Sequence, residues 1–125
     1  MEVGPAGVKG RLTTHILDTS TGNPAKGVQI VLFRLFEERT ERLLTTHTNA
    51  DGRCDAPLLA GNALVSGIFE IVFEIGDYFR AQGVSLPEPA FLDRVPVRFG
   101  IADTDRHYHV PLLIAPFGYA TYRGS

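Results

Sequence analysis

Alternating apolar and polar side chains, repeated in short segments along the chain, constrain the fold more than any other feature of this sequence. In GIFEIVFEI (67–75) the large apolar residues occupy every second position, and Glu70 and Glu74 fall between them. RLTTHILD (11–18) alternates in the same way and places His15 on the face opposite Ile16. Because successive side chains of an extended strand point to opposite faces, each segment predicts a β-strand with one face in a core.

Five further segments have the composition of strands. VQIVLFRLF (28–36) carries β-branched and aromatic residues on both parities, which predicts a strand covered on both faces. The other four are LLTTHTN (43–49), VPVRFGI (95–101), RHYHVPLLIA (106–115) and FGYATYR (117–123). We also expect a short edge strand at CDAPL (54–58), because Pro57 donates no ladder hydrogen bond and therefore suits an edge.

Turn-forming residues separate these segments. TSTGNPAKG (19–27) and the charged EERTE (37–41) predict connections, and Asp51-Gly52 is a strong local turn signal. One segment, GDYFRAQG (76–83), has room for one or two helical turns. Seven to eight short strands with almost no helix predict an all-β fold, a two-sheet β-sandwich of antiparallel strands with one short helix.

The chain of 125 residues predicts a single domain. We place that domain at residues 10–125, because residues 1–9 are small, carry glycine and proline, and predict a flexible lead-in. No apolar run resembles a signal peptide or approaches the ~20 residues that span a bilayer. Cys54 is the only cysteine, so an intrachain disulfide is excluded and a reducing compartment is expected. Together these features predict a cytoplasmic protein.

Charge and motifs exclude several classes of function. A net charge of -2, with the basic residues spread along the chain, argues against nucleic acid or an anionic membrane as the main partner. The sequence contains no phosphate-binding loop, no dinucleotide fingerprint and no G-x-S-x-G nucleophile elbow. Cys54 lacks a local Cys–His signature, and we interpret it as a small residue packed beside a turn. We therefore expect no cofactor.

The four histidines raise the question of a metal site. His107 and His109 are two residues apart on a predicted strand, so both are expected on the same face, where a third ligand from across the sheet would complete a zinc site. Cys54 has no cysteine partner, which argues against a structural zinc site, so we predict no metal site. His15, Arg53, His109 and Ser125 remain as polar candidates, each of which has an ordinary structural explanation when taken alone.

Three longer stretches give these residues a context. LTTHILDTSTGNPAKGV, HTNADGRC and DRHYHVPLLIAPFGYATYRGS follow one another in this order between Arg11 and Ser125. They closely resemble the 5-hydroxyisourate hydrolases, the purine-degrading branch of the transthyretin-like family. The terminal Tyr-Arg-Gly-Ser is the most specific element, because hormone-carrying transthyretins share the fold but lack this motif and the active-site histidines.

The resemblance implies a set of site residues. The family's catalytic positions fall on His15, Arg53, His109 and Ser125, and its substrate-binding positions fall on His15, Arg53 and Tyr122. His107 also matches the family pattern, but its role stays open, and we interpret His47 as structural. The resemblance further implies a transthyretin-like (prealbumin-like) sandwich with four strands in each sheet, assembled as a homotetramer with active sites in a channel where dimers meet, and no cofactor.

The chemistry of these residues suits the implied reaction, hydrolysis of 5-hydroxyisourate to 2-oxo-4-hydroxy-4-carboxy-5-ureidoimidazoline in urate degradation. Two histidines can share the activation of water and the protonation of the leaving nitrogen, although which does which stays open. The Arg53 guanidinium matches a developing oxyanion, Ser125 offers a hydroxyl and a carboxylate, and Tyr122 can pack on a flat ring. The alternatives are a carrier that binds a flat aromatic ligand in the same channel and a partner-binding sandwich module.

Overall fold

Two β-sheets packed face to face form the part of the chain described by the structure, a computed structural model covering residues 10–124. Within that range there are nine strands and one short α-helix. The elements are β1 (Arg11–Asp18), β2 (Asn23–Pro24), β3 (Gln29–Leu35), β4 (Thr40–His47), β5 (Leu59–Ala60), β6 (Gly67–Glu74), α1 (Ile75–Ala81), β7 (Arg94–Ile101), β8 (Tyr108–Ala115) and β9 (Gly118–Thr121). The predicted lead-in at 1–9 and the candidate site residue Ser125 lie outside the described residues.

The first sheet has the strand order β2-β1-β8-β9, with β5 paired to β1, and the second has the order β4-β3-β6-β7. The predicted two-sheet sandwich is therefore confirmed. The expectation of purely antiparallel strands is wrong at one place, because β1 and β8 run parallel, from Leu12 opposite Tyr108 to Asp18 opposite Ile114. A parallel pair needs a long crossover connection, and here the four strands of the second sheet, β3, β4, β6 and β7, supply most of it.

The alternation in β1 and β6 is confirmed in both strands. In β1 the residues Leu12, Thr14, Ile16 and Asp18 are buried, whereas the residues between them are partly exposed. In β6 the side chains of Phe69, Ile71 and Phe73 lie in the core. Glu70 and Glu74 lie on the other face, each bridged to the arginine opposite it on β7. The exposed strand faces are thus available to carry polar groups without disturbing the packing.

The core lies between the two sheets. Its largest fully buried side chains come from both sheets and from the helix: Phe69, Phe73, Phe79, Leu12, Ile16, Ile30, Leu32, Ile71, Ile75, Leu112 and Ile114. Truncating one such side chain to alanine costs about 2–5 kcal/mol, depending on how far the cavity collapses. Strand β3 contributes Ile30, Val31 and Leu32 as consecutive buried residues, as expected for a strand covered on both faces.

Several element boundaries differ from the sequence prediction. Strand β4 begins at Thr40 rather than Leu43, because the predicted EERTE connection continues the ladder with β3 across a bulge between Leu32 and Phe33. CDAPL forms no strand: after a bridge at Arg53 the chain pairs with β1 only at Leu59 and Ala60. Which residues of this segment pair therefore depends on where the chain meets β1, and the local sequence CDAPL does not reveal that.

A helix forms where GDYFRAQG (76–83) predicted helical turns. It begins at Ile75 and buries Ile75, Gly76, Tyr78 and Phe79. The Tyr78 hydroxyl donates a hydrogen bond of 2.9 Å to the buried carboxylate of Asp18, which connects α1 to the end of β1. Burial, followed by this hydrogen bond, raises the pKa of Tyr78 to about 12. No helix of residues 10–124 is long and apolar enough to cross a membrane.

Candidate active site

The outward face of β1 presents Thr13 and His15, because the inward parity belongs to the core. In the parallel ladder with β8, Thr13 lies directly opposite His109 and His15 lies opposite Pro111. Thr13 and His109 are 96 residues apart in sequence, and their side chains form a hydrogen bond. Two strands from the two ends of the chain therefore build one polar surface on the first sheet.

A tight turn after β4 contributes Arg53 to this surface. The Asn49 side-chain oxygen accepts hydrogen bonds from the backbone N–H groups of Asp51 at 2.9 Å and Arg53 at 3.2 Å. The Asn49 N–H in turn donates to the Arg53 carbonyl at 2.7 Å, which closes the turn. The Asp-Gly signal therefore marks a turn, as predicted, and the preceding asparagine holds it.

Gly52 lets this turn approach β1. Its φ of +74° lies in the left-handed region, and an added Cβ would lie 2.4 Å from the Ile16 carbonyl oxygen. The Gly52 carbonyl accepts a 2.8 Å hydrogen bond from the Ile16 N–H, and Arg53 then forms a backbone bridge with His15. Only glycine combines this φ with so close a backbone contact, so Gly52 determines where Arg53 stands relative to His15.

A cleft of about 310 Å³ opens on this surface. It is lined by Arg11, Thr13, Thr14, Arg53, Cys54, Ala56, His107 and His109. Of the candidate site residues, the structure brings Arg53 and His109 together here. His15 does not line the cleft, although its backbone forms a bridge with Arg53. The sequence analysis did not single out Arg11 or Thr13, although Thr13 shares the face of His15 in the alternating pattern of β1.

Thr13 lies between the two histidines that line the cleft, His107 and His109. Its Oγ1 lies 2.9 Å from Nε2 of His107 and 2.8 Å from Nδ1 of His109. His107 precedes β8 instead of belonging to it, so the prediction of both histidines on one strand holds only for His109. The two rings nevertheless stand on the same side, with centroids 6.4 Å apart.

Electrostatics favour a neutral His109. Its partial burial lowers the pKa of the imidazole, and the positive charge of Arg53 and the neighbouring His107 and His15 lower the pKa further. A histidine whose pKa lies below its ordinary value is neutral at pH 7 and carries one ring proton and one lone pair. It can therefore accept a proton from water on one nitrogen while the other nitrogen is held by Thr13.

Cys54 has the opposite character from an activated nucleophile. Burial, followed by the negative charge of Asp55, raises the pKa of its thiol, so the reactive thiolate is disfavoured. The side chain packs against the edge of the core, in agreement with its interpretation as a small packed residue. Among residues 10–124, no three histidine, cysteine or acidic side chains are grouped closely enough to hold a metal ion.

The end of the chain folds back against His109. The Gly124 N–H donates a 2.8 Å hydrogen bond to the His109 carbonyl, and the Arg123 guanidinium lies 4.2 Å from the centre of the Tyr108 ring. Tyr122 does not line the cleft. It is exposed and borders a separate groove, of about 210 Å³, next to β7.

Comparison with known proteins places this geometry in a family. Residues 12–124 match the model described as the HIUase/Transthyretin family. The chain belongs to the HIUase/Transthyretin family. The resemblance inferred from the sequence motifs is thereby confirmed over residues 12–124.

Individual members of the HIUase/Transthyretin family are highly similar to this chain. A protein of Mesorhizobium japonicum named 5-hydroxyisourate hydrolase is 63% identical over 116 residues, which cover 93% of each chain. The solved structure of Klebsiella pneumoniae 5-hydroxyisourate hydrolase is 40% identical with a TM-score of 0.77, covering 93% of this chain and 99% of that one. The crystal structure of (S)-allantoin synthase gives 41% identity and a TM-score of 0.89 over 98% of this chain, which spans only 46% of that longer chain.

Proposed function

We propose that this protein catalyses the hydrolysis of 5-hydroxyisourate to 2-oxo-4-hydroxy-4-carboxy-5-ureidoimidazoline in urate degradation. The observation that carries the proposal is the cleft in which Arg53 and a His109 of lowered pKa face the same space. Hydrolysis of a cyclic amide needs these two functions, a base for water and a cation for the oxyanion. Relatives named for this reaction match nearly the full length of the chain, which supports the same conclusion.

We assign His109 as the general base, because a neutral imidazole has a lone pair to accept the proton of the attacking water. Arg53 stabilises the charge that develops on the carbonyl oxygen, since its planar guanidinium donates two parallel hydrogen bonds and stays charged. His15, beside Arg53, binds the ring and protonates the leaving nitrogen. No cofactor enters these steps, which need only proton transfer and charge stabilisation.

Tyr122 and Ser125 complete the proposed site from the end of the chain. The hydrogen bond of Gly124 to the His109 carbonyl keeps this segment next to the cleft. We propose that Tyr122 packs on the flat ring and that Ser125 contributes a hydroxyl to the hydrogen-bond network around it. Because Tyr122 faces a groove of its own in the single chain, its contact with substrate depends on how chains assemble.

We further propose that the protein is a cytoplasmic homotetramer of single-domain subunits, with the active sites at the interface between dimers. Phe117, Tyr119 and Tyr122 are exposed at or beside the edge strand β9. An apolar, unpaired edge promotes aggregation unless another chain covers it, so identical edges that meet symmetrically account for this surface. Light scattering at micromolar concentration tests the assembly, and a monomeric mass with full activity would exclude a site that needs the interface.

The decisive experiment follows the ultraviolet absorbance of freshly generated 5-hydroxyisourate. We expect the absorbance to decay faster with the protein than without it, and to return near the spontaneous rate with Arg53→Ala or His109→Ala. A carrier of flat aromatic ligands would bind substrate in the same place but leave the spontaneous rate unchanged. Decay at the spontaneous rate with a folded, assembled protein would therefore reject the hydrolase and favour the carrier.

A further inference from the structure

We infer that His107, Thr13 and His109 form a proton relay. The relay couples the general base, His109, to solvent and sets the tautomer of His109. The inference rests on the proposed function, in which His109 activates water. It gives a role to His107, whose match to the family left its role open, and to Thr13, which is not among the candidate site residues. Both act through His109 and are positioning residues.

The relay depends first on the hydrogen bonds that the Thr13 hydroxyl can form. A hydroxyl has one proton to donate and lone pairs to accept, and here it lies within hydrogen-bond distance of one nitrogen from each histidine, at 2.9 and 2.8 Å. Thr13 can donate to only one of the two nitrogens, so the other must carry the proton and donate to Thr13. The tautomers of His107 and His109 are therefore linked through a single hydroxyl.

Two complementary arrangements result. In the first, Nδ1 of His109 donates to Thr13, and the Thr13 hydroxyl donates to Nε2 of His107, which leaves Nε2 of His109 with its lone pair. In the second, Nε2 of His107 donates to Thr13, and Thr13 donates to Nδ1 of His109, which leaves Nε2 of His109 protonated. The first arrangement prepares His109 to accept a proton, and the second prepares it to give one.

The proton transfers that convert the first arrangement into the second conserve every proton. Nε2 of His109 takes a proton from water, the Nδ1 proton of His109 passes to Oγ1 of Thr13, and the Thr13 hydroxyl proton passes to Nε2 of His107. His107 then releases the proton of its Nδ1 to solvent, and the hydroxide attacks the carbonyl carbon. His109 gains one N–H bond and loses one, so no positive charge develops beside Arg53. Once the product has left, Nε2 of His109 returns its proton to solvent water and the reverse transfers from His107 through Thr13 restore the first arrangement.

Burial gives the relay a direction. His107 lines the cleft and is exposed, whereas His109 is half-buried, so protons exchange with solvent at the His107 end. The β1–β8 ladder holds Thr13 opposite His109. Arg123 donates a 3.4 Å hydrogen bond to the His107 carbonyl and so helps to hold the backbone of His107.

The charges around the cleft favour the same mechanism. Among residues 10–124, the basic groups nearest the two imidazoles are Arg11, Arg53 and His15, and the thiol of Cys54, whose pKa is raised by burial, adds no negative charge. A lasting imidazolium at His109 is unfavourable in these surroundings, because like charges repel at short range. A relay that passes the proton onward avoids that state.

Three variants test the relay. Thr13→Val removes the hydroxyl and keeps the branched shape, Thr13→Ser restores a hydroxyl, and His107→Gln keeps a hydrogen-bonding nitrogen but cannot transfer a ring proton. We expect Thr13→Val and His107→Gln to lower kcat by about tenfold or more with KM changed less than about threefold, and Thr13→Ser to stay near wild type. Thr45→Val and His47→Gln, on β4 of the other sheet, are the matched controls and should leave kcat unchanged.

A second measurement does not depend on turnover. Ring ¹⁵N chemical shifts report the tautomer of each histidine, and we expect titration of His107 to change the tautomer balance of His109 in the wild type but not in Thr13→Val. Independent tautomers in the wild type, or wild-type kcat in either Thr13→Val or His107→Gln, would overturn the relay. Absence of turnover in the wild type with coupled tautomers would instead reject the proposed function and retain the network.

Discussion

Replacing Gly52 by alanine should affect both the stability of the sandwich and the placement of Arg53. At φ +74° a non-glycine residue costs about 1–2 kcal/mol. The new Cβ would also lie 2.4 Å from the Ile16 carbonyl oxygen, and this atom belongs to backbone that cannot rotate away. Separating the two segments weakens the 2.8 Å hydrogen bond from Ile16 to Gly52, worth about 0.5–1.5 kcal/mol. We therefore expect Gly52→Ala to lower the free energy of unfolding by roughly 1.5–3.5 kcal/mol.

Gly27 provides a matched control for the backbone strain alone. Its φ is +81°, and an added Cβ would have no atom within 4 Å, so Gly27→Ala should cost only about 1–2 kcal/mol. For a domain of 125 residues, 1 kcal/mol corresponds to roughly 4 °C in Tm. Both variants are compared by urea unfolding and thermal melting at one protein concentration, because assembly makes apparent stability depend on concentration.

The same variant tests the geometry of the site. Opening the turn by about 1 Å displaces Arg53 from the cleft, and a misplacement of this size costs up to about 10²-fold in rate. We expect Gly52→Ala to lower kcat/KM by roughly that factor at a temperature where it remains folded, and Gly27→Ala to keep wild-type activity. If the two variants lose equal stability, or Gly52→Ala keeps full activity, the close approach to β1 does not determine the position of Arg53.

Three further predictions concern the site and the core. The acid limb of the kcat/KM profile should have an apparent pKa below 6.5, since burial and Arg53 keep His109 neutral as pH falls. Arg53→Gln should raise the pKa of His109 in an NMR titration, and an unchanged pKa would contradict the charge effect. His15→Ala should lower kcat/KM by roughly 10² or more, whereas His47→Ala should have almost no effect, and a reversed order in the absorbance assay would refute the site. Ile71→Ala, at a fully buried position, should lower the free energy of unfolding by about 2–5 kcal/mol in urea, and a loss below 1 kcal/mol would show that the core collapses around it.

Sequence patterns located most of the strands because the information is local. The alternation in RLTTHILD identifies both the bounds of β1 and the face that His15 shares with Thr13, and GIFEIVFEI does the same for β6 up to Glu74. Side-chain direction along an extended chain depends only on parity, so a few residues suffice to determine it. The motifs around Arg53 and His109 likewise sufficed to identify the family, which the match over residues 12–124 confirmed.

Local sequence patterns did not determine which strands pair with each other. Parity says which face a residue occupies but not which strand lies beside it, so the parallel pairing of β1 with β8 followed only from the assembled sandwich. The extension of β4 to Thr40 and the absence of a strand in CDAPL have the same origin, since both depend on which neighbours are in reach. Such choices reflect the packing of two whole sheets rather than the propensity of one segment.

The sequence by itself determined an all-β sandwich, its family, and the residue types of the proposed site. Tertiary structure decided that Thr13 stands between His107 and His109, because that contact joins residues 96 positions apart through the β1–β8 ladder. It also decided that Tyr122 faces a different groove from Arg53, although both match the family's substrate-binding positions. Long-range contacts of this kind form only when the core between the sheets closes, since burial of apolar side chains, and not the local pattern, brings the two ends of the chain together.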